Sequence, residues 1–253
     1  PEAGIDVHRL YDHVLVDRTI AEGKREDGAG RALVVSVFDL DRTLTRRGTY
    51  TAFLLHAPRR RSPLRLLLAP PAGFHFLSYA AGRITRKRLK EKLPRLFLGK
   101  RQPRAEIERL AADYAARLRR RGLLRQGLAQ IAEERRQGRR ILLATAANAF
   151  YADAIARGPG VDEMGGTQSA WDGDSLLARI EGPNCYGEDK LAMLRARLER
   201  PDRPREAIHV RFFSDHRSDA CVMHWADQAF VVNPERRLRA YAAQMGWVVV
   251  NWL

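Results

Sequence analysis

Two acidic pairs in this sequence stand where their cost demands a purpose. Asp39-Leu40-Asp41-Arg42-Thr43-Leu44-Thr45 follows directly on the apolar run Leu33 to Phe38. Two carboxylates two residues apart at such a place are expensive unless a metal ion or a reacting phosphate pairs with them. Asp215 and Asp219 follow the run Ile208 to Phe213 in the same way. Thr145 closes the run Ile141 to Ala144, and Ala146, Ala147 and Asn148 come next, with Asn148 a good N-cap. A hydroxyl ahead of a helix N-terminus is a ready anion site, because free N–H groups and the helix dipole face the ligand. Lys190, after Gly187-Glu188-Asp189, opens another helix and offers a point charge for phosphate. Cys185 and His216 read as structural, with His216 at the margin of the site.

These residues need a scaffold that brings distant segments to one edge. The runs at 33–38, 141–144, 208–213 and 229–232 are continuous and β-branched, as expected of strands buried on both faces. Helical patterns alternate with them: Ala149 to Arg157, Glu188 to Leu198, and Pro234 to Met245 ending at Gly246. Strands alternating with helices imply a parallel α/β sheet, in which ligands bind where strands end at their carboxyl side. An Asp-Gly pair in Trp171-Asp172-Gly173-Asp174 suggests a hairpin. Between the first two strands lies an insertion from Thr49 to Gly138. Helical spacing is plain in Ile107, Leu110, Tyr114 and Leu118, and again in Leu124, Leu128 and Ile131. The expected organisation is an N-terminal extension over 1–31, a core over 32–48 and 139–253, and a helical domain over 49–138.

The composition, 45% hydrophobic and 30% charged over 253 residues, excludes a disordered chain. Two cysteines cannot build a disulfide framework or a four-ligand zinc site, so a reducing compartment is expected. The formal charge of +15 points to an anionic partner. Nearly all of the excess lies between Arg59 and Arg104, which holds fourteen basic residues and one acid, Glu91. The uncharged stretch from Leu66 to Gly82 is short for a membrane span and contains Pro70-Pro71.

In order and context, these motifs resemble the haloacid dehalogenase superfamily, in its phosphoserine-phosphatase-like branch, subfamily IB. Asp39, Asp41 and Thr43 match its Asp-x-Asp-x-Thr; Thr145 matches its second motif, Lys190 its third, and Asp215 with Asp219 its fourth. The insertion stands where that branch places a C1-type cap on a Rossmann-like parallel-sheet core. The resemblance implies a Mg²⁺-dependent phosphomonoesterase. Asp39 would be the nucleophile that becomes an aspartyl-phosphate, and Asp41 the general acid and base. Thr145, Ala146 and Lys190 would bind the phosphoryl group. Asp39, the Asp41 carbonyl and Asp215 would hold the metal, with Asp219 supporting that shell. The all-oxygen ligand set suits a hard cation rather than zinc.

Phosphoserine phosphatases carry an acid soon after the first motif, whereas this chain has Arg46 and Arg47 there, which disfavours an amino-acid phosphate. The segments 46–53, 82–87 and 181–187 look like a proteobacterial subgroup that includes phosphatidylglycerophosphate phosphatases. Leu64, Leu66, Leu67, Leu68, Phe74, Phe76, Leu77 and Tyr79 lie between Arg59-Arg60-Arg61 and Arg86-Lys87-Arg88. Apolar residues bracketed by cations suit the headgroup region of an anionic bilayer. The expectation is therefore a lipid phosphatase, peripheral on the inner face of the cytoplasmic membrane. A soluble phosphatase of a small metabolite is the alternative. A nucleic-acid binder or polynucleotide phosphatase is the poorest reading, because the basic stretch is interleaved with Leu and Pro and adjoins a complete catalytic set.

Overall fold

The computed structural model describes residues 33–253; the extension expected over 1–31 lies outside them. Six strands form one parallel sheet: β1 (Leu33–Phe38), β3 (Arg140–Asn148), β4 (Glu163–Thr167), β7 (Ile208–Ser214), β8 (Gln228–Val232) and β9 (Val248–Val250). Their order is β4-β3-β1-β7-β8-β9, and every neighbouring pair is parallel. This is the expected α/β, Rossmann-like class. β1 sits between β3 and β7, with Phe38 paired to both Leu143 and Phe213. The residues that follow Phe38, Leu143 and Phe213 therefore emerge side by side at one edge.

The helices α6 (Ala149–Ala156), α7 (Glu188–Leu198), α8 (Ala220–Trp225) and α9 (Arg236–Met245) connect the strands. They cover faces on which Val35, Val37, Leu142, Val210 and Phe212 are wholly buried. Central strands buried on both sides explain the unbroken apolar runs. α9 stops at Gly246, whose φ of 69° is the left-handed C-cap expected there.

The insertion folds into α1 (Thr49–Arg61), a 3₁₀ turn (Pro63–Leu68), α2 (Ala69–Ala80), α3 (Arg86–Phe97), α4 (Arg104–Arg121) and α5 (Arg125–Arg136). Pro63 and the Pro70-Pro71 pair break the long uncharged stretch into the turn and the short α2. Among the described residues, no helix is long and apolar enough to cross a membrane. Sequence reading missed β2 (Arg101–Pro103), which joins β5 (Ser169–Asp172) and β6 (Ser175–Ile180) in a small antiparallel sheet. β5 and β6 are the hairpin expected at Asp172-Gly173. β2 thus ties the insertion to a hairpin that follows β4.

The insertion is tied again where the chain crosses at a bridge between Thr45 and Leu123. Beyond that bridge α5 packs on the sheet. Gly127 lies so close to Leu44 and Trp252 that a Cβ would meet them at 3.1–3.2 Å. Glu134 of the same helix is wholly buried and accepts hydrogen bonds from Ser36 of β1 and from Arg139, with Arg211 of β7 at 3.0 Å. Burial alone would raise the Glu134 carboxyl. Arg211, Ser36 and Arg139 together bring it below its ordinary value. Its contribution to stability is present above the unfolded carboxylate range and is lost as pH falls.

Glu134→Ala removes the buried carboxylate that Arg211, Arg139 and Ser36 share. We expect a loss of about 3–5 kcal/mol in denaturant unfolding; a loss below about 1 kcal/mol would show that the network is not needed.

Candidate active site

The carboxyl edge of β1 and β7 gathers the acidic residues. Asp39 donates its backbone N–H to the Phe213 carbonyl at 2.9 Å, which registers the Asp39 loop against the Asp215 loop. The loop from Leu40 to Thr45 then folds back on itself, with the N–H groups of Leu44 and Thr45 both donating to the Leu40 carbonyl. This tight return puts Arg42 at φ 62°, a left-handed conformation that costs a non-glycine residue about 1–2 kcal/mol. Thr45 Oγ1 accepts from the Arg42 N–H at 3.1 Å and holds it there.

The turn sets Thr43 and Asp41 on different partners. Thr43 Oγ1 lies 3.3 Å from both Asp39 Oδ2 and Asp215 Oδ1, and accepts from the Asp215 N–H at 3.0 Å. Asp41 Oδ1 instead accepts from the N–H of Thr49, the first residue of α1, at 2.7 Å. The Asp41 carboxylate is thus held by a helix N-terminus, where a negative charge is stabilised. It faces an aromatic wall in which Phe53 stacks on Tyr151 at 4.7 Å and meets Tyr114 edge-on at 5.4 Å. Burial raises the hydroxyls of Tyr114 and Tyr151, and the nearby charge of Asp41 adds to that.

Lys190 enters from α7. Gly187 precedes that helix at φ 58°, a conformation that glycine adopts without penalty. Lys190 is 2% exposed. Its Nζ donates to Asp39 Oδ1 at 2.9 Å and to Asp219 Oδ2 at 2.7 Å. Burial works against the ammonium, but Asp219 and Asp39 more than offset it and hold Lys190 above its ordinary value. Ser214 Oγ also donates to Asp219 Oδ2, at 2.7 Å.

One lysine does not balance this many carboxylates. Burial pushes the Asp39 carboxyl up; Lys190 opposes that, and Asp219, Asp215 and Asp41 add to it. Asp215 is raised to about 6, first by burial and then by Asp219. Asp219 Oδ1 is buried with no hydrogen-bond partner among the described residues. Carboxylates crowded at one edge, with Asp39 and Asp215 raised and an orphaned oxygen on Asp219, fit a hard divalent cation. Among the described residues, no three His, Cys, Asp or Glu side chains form a ready-made cation cage. Mg²⁺ keeps several waters and needs only one or two carboxylates, so Asp39 and Asp215 with the Asp41 carbonyl remain a suitable set.

The second motif departs from expectation in its setting. β3 runs on past Thr145 to Asn148, and α6 begins only at Ala149, so Thr145 stands four residues before the helix. Thr145 is wholly buried, and its Oγ1 accepts from the Ala147 N–H at 3.0 Å. Asn148 occupies the cap position without capping; its Nδ2 donates to Ser169 Oγ at 3.1 Å. The pairing with β4 shifts register between Thr145 and Asn148, where the strand accommodates extra residues before Asn148 pairs with Thr167. His216 is exposed and paired with Ser218, while Cys185 is buried, and burial raises its thiol to about 11.

Sequence reading counted Lys90 only as one cation among fourteen. Its Nζ donates to the Ala146 carbonyl, to Thr167 Oγ1 at 3.3 Å and to Asn184 Oδ1 at 2.6 Å. Burial lowers this ammonium to about 8. It fastens α3 to the strand end after Thr145. The signal was its place beside Leu89, Leu93 and Phe97 on the buried side of α3. Two neighbours are also engaged: Arg86 stacks on Tyr186 at 3.8 Å, and Lys87 donates to the Gly182 carbonyl at 3.0 Å.

A family model for haloacid dehalogenase-like hydrolases matches residues 36–224. A curated relative, a probable phosphatase of Mycobacterium tuberculosis, is 25% identical over 228 residues, covering 88% of this chain and 77% of that one. A solved protein of unknown function from Bordetella pertussis has a TM-score of 0.78 at 22% identity, covering 88% of this chain and 100% of that one. A phosphoserine phosphatase with bound substrate has a TM-score of 0.56 at 14% identity, covering 85% and 91%. A phospho-aspartyl intermediate analogue of phosphoserine phosphatase scores 0.55 at 14% identity, covering 85% and 92%. At these identities the structural likeness is one of fold.

The raised Asp215 predicts a pH effect on the metal-free protein. A carboxyl whose folded pKa lies above its unfolded value loses stability as pH rises from about 4 through about 6. In chelator at pH 7.5, Asp215→Asn is expected to be about 1–3 kcal/mol more stable than the parent, with the advantage shrinking by pH 4. Equal stability of the two proteins at both pH values would refute the crowding of charge.

Proposed function

The chain belongs to the haloacid dehalogenase-like hydrolases and is a phosphatase of that family, and we propose that it cleaves a membrane phospholipid monoester, such as phosphatidylglycerophosphate, through an aspartyl-phosphate. The observation that carries the chemistry is the buried Lys190 clasping Asp39 and Asp219 beside Asp215, with Asp41 held apart. In this reading Asp39 attacks phosphorus while the ester P–O bond breaks and Asp41 gives its proton to the leaving alcohol oxygen. Asp41 then takes a proton from the water that attacks phosphorus, and the release of inorganic phosphate restores Asp39. Separate anchoring suits these two roles: Asp39 is fixed beside a cation, while Asp41, tied to the Thr49 N–H, stands clear of that cation and can exchange a proton with the leaving oxygen and the water. Mg²⁺, when bound by Asp39, Asp215 and the Asp41 carbonyl, supplies the positive charge that keeps Asp39 ionised and offsets the phosphoryl oxygens. In the same reading Lys190 adds charge to the same end, and Thr145 with the backbone after it binds the phosphoryl oxygens.

The insertion favours a lipid over a sugar phosphate because it leaves an apolar surface uncovered. Leu64 is 76% exposed, Leu67 74%, Leu77 70% and Phe74 63%. A patch of this kind suits a bilayer surface, and we read the part of the insertion that carries it, residues 63–97, as facing that surface, on the inner face of the cytoplasmic membrane.

Asp39→Asn should abolish phosphate release. Asp41→Asn should retain metal binding and lose about 10²–10⁴ in rate. A panel of phosphatidylglycerophosphate in micelles, phosphoserine, sugar phosphates and 3′-phosphorylated DNA, each with Mg²⁺ and with chelator, tests the substrate. Preference for the lipid supports the proposal. Equal or better turnover of sugar phosphates assigns a soluble substrate, and undiminished activity of Asp39→Asn or in chelator overturns the mechanism.

A further inference from the structure

We propose that the cap carries a second anion site, separate from the catalytic carboxylates, which takes the phosphate of an anionic lipid headgroup at a bilayer surface. This deepens the membrane part of the reading above and rests on it. The site is a cavity of about 660 Å³ between the 3₁₀ turn, α2 and the C-terminal half of α3. Arg65, His75, Lys92, Arg95 and Lys100 line it over a floor of Leu68 and Leu96, and no carboxylate does.

α3 presents two cationic faces. Lys90 points to the core, and Lys92, two residues on, lies roughly 200° around the helix. Lys92 is half-buried in the cavity, with Arg95 at its rim. Other cations of the basic stretch are already spent on acids: Arg60 on Asp113, Arg61 on Glu106, Arg101 on Asp172 and Arg104 on Asp174. The side chains of Lys92, Arg95 and Lys100 have no hydrogen-bond or ion-pair partner among the described residues. Like charges gathered in a half-buried groove repel unless an anion joins them.

The guanidinium of Arg65 is built into the wall. Its Nη1 donates to the Leu96 carbonyl at 3.2 Å. At Gly99, φ 110°, a Cβ would lie 3.2 Å from both Nη1 and Nη2, so glycine leaves room for the guanidinium. An anchored guanidinium with further N–H groups to give is suited to a phosphate.

The surroundings select the occupant. Leu64 and Leu67 share the turn with Arg65, and Phe74 and Leu77 flank His75 on α2, all largely exposed. A soluble anion has no use for that rim. A headgroup phosphate in the groove would set these side chains at the level of the acyl chains.

The test is co-sedimentation of the full chain with vesicles of phosphatidylglycerol and phosphatidylcholine, against phosphatidylcholine alone. The parent is compared with a groove triple, Lys92→Gln, Arg95→Gln and Lys100→Gln. A control triple removes the same charge elsewhere: Arg120→Gln, Arg121→Gln and Arg125→Gln. We expect the parent to bind only the anionic vesicles, the groove triple to bind about tenfold more weakly or worse, and the control to stay within about twofold of the parent. Turnover of a soluble aryl phosphate, equal in all three proteins, verifies folding. Equal losses in the two triples, an unaffected groove triple, or a parent that ignores anionic vesicles overturns the site. Inorganic pyrophosphate that displaces the protein from vesicles and binds as tightly as they do overturns the lipid occupant. Aryl phosphate turnover reads the catalytic residues without a membrane, so a failed phosphatase reading and a failed groove are told apart.

Discussion

A single buried ammonium between two carboxylates organises this molecule. Lys190 Nζ touches Asp39 from the end of β1 and Asp219 from beyond β7. Burying any of the three alone would be prohibitive, so the segments that carry them must meet. The parallel sheet makes the meeting possible by setting β1 beside β7, and Gly187 lets α7 begin where its third residue points into the edge. The clasp is still short of positive charge. Asp215 is raised, and Asp219 keeps an unpartnered buried oxygen. That shortfall is what a divalent cation and a dianionic phosphate group can use in turn, so the same electrostatic debt serves binding and chemistry.

The second acid is kept out of that clasp. Asp41 is one residue from a left-handed turn and bonds to the N-terminus of α1, the first helix of the insertion. Its position therefore depends on where α1 lies, and α1 is held by the aromatic packing of Phe53 on Tyr114 and Tyr151. Lys90 fastens the insertion on the other side, to the Ala146 carbonyl and Asn184. Both fastenings converge on the cleft between sheet and insertion, so a movement of one layer over the other would carry Asp41 and the strand end after Thr145 with it.

The fold puts the cations of the basic stretch to different uses. Some cations are spent on acids, as Arg60 and Arg61 are. Others, Arg86, Lys87 and Lys90, meet a ring face or carbonyls of the chain itself. Lys92, Arg95 and Lys100 remain around the cap groove. A count of charge along the chain treats these three groups alike, although the first two already have partners within the chain.

The sequence by itself determined the sheet and the catalytic edge. Runs such as Leu33–Phe38 and Ile208–Phe213 are apolar because both of their faces are buried, and that burial is legible as an unbroken period. The acidic residues after them stand out because their cost is local and visible. Family motifs were legible in the same way, since backbone turns and phosphate contacts demand residue types at set spacings. Tertiary structure decided the rest. β2 is three residues long and exists only because β6 accepts it, so no local pattern announces it. Thr145 stands in a strand that continues to Asn148 because β4 pairs with it there, whatever Asn148 prefers as a cap. The packing of α5 on Ser36 and Arg211, and the separation of Lys90 from Lys92, follow from which neighbour each helix face meets. Apolar periodicity tells that a face is buried; only the assembled chain tells against what.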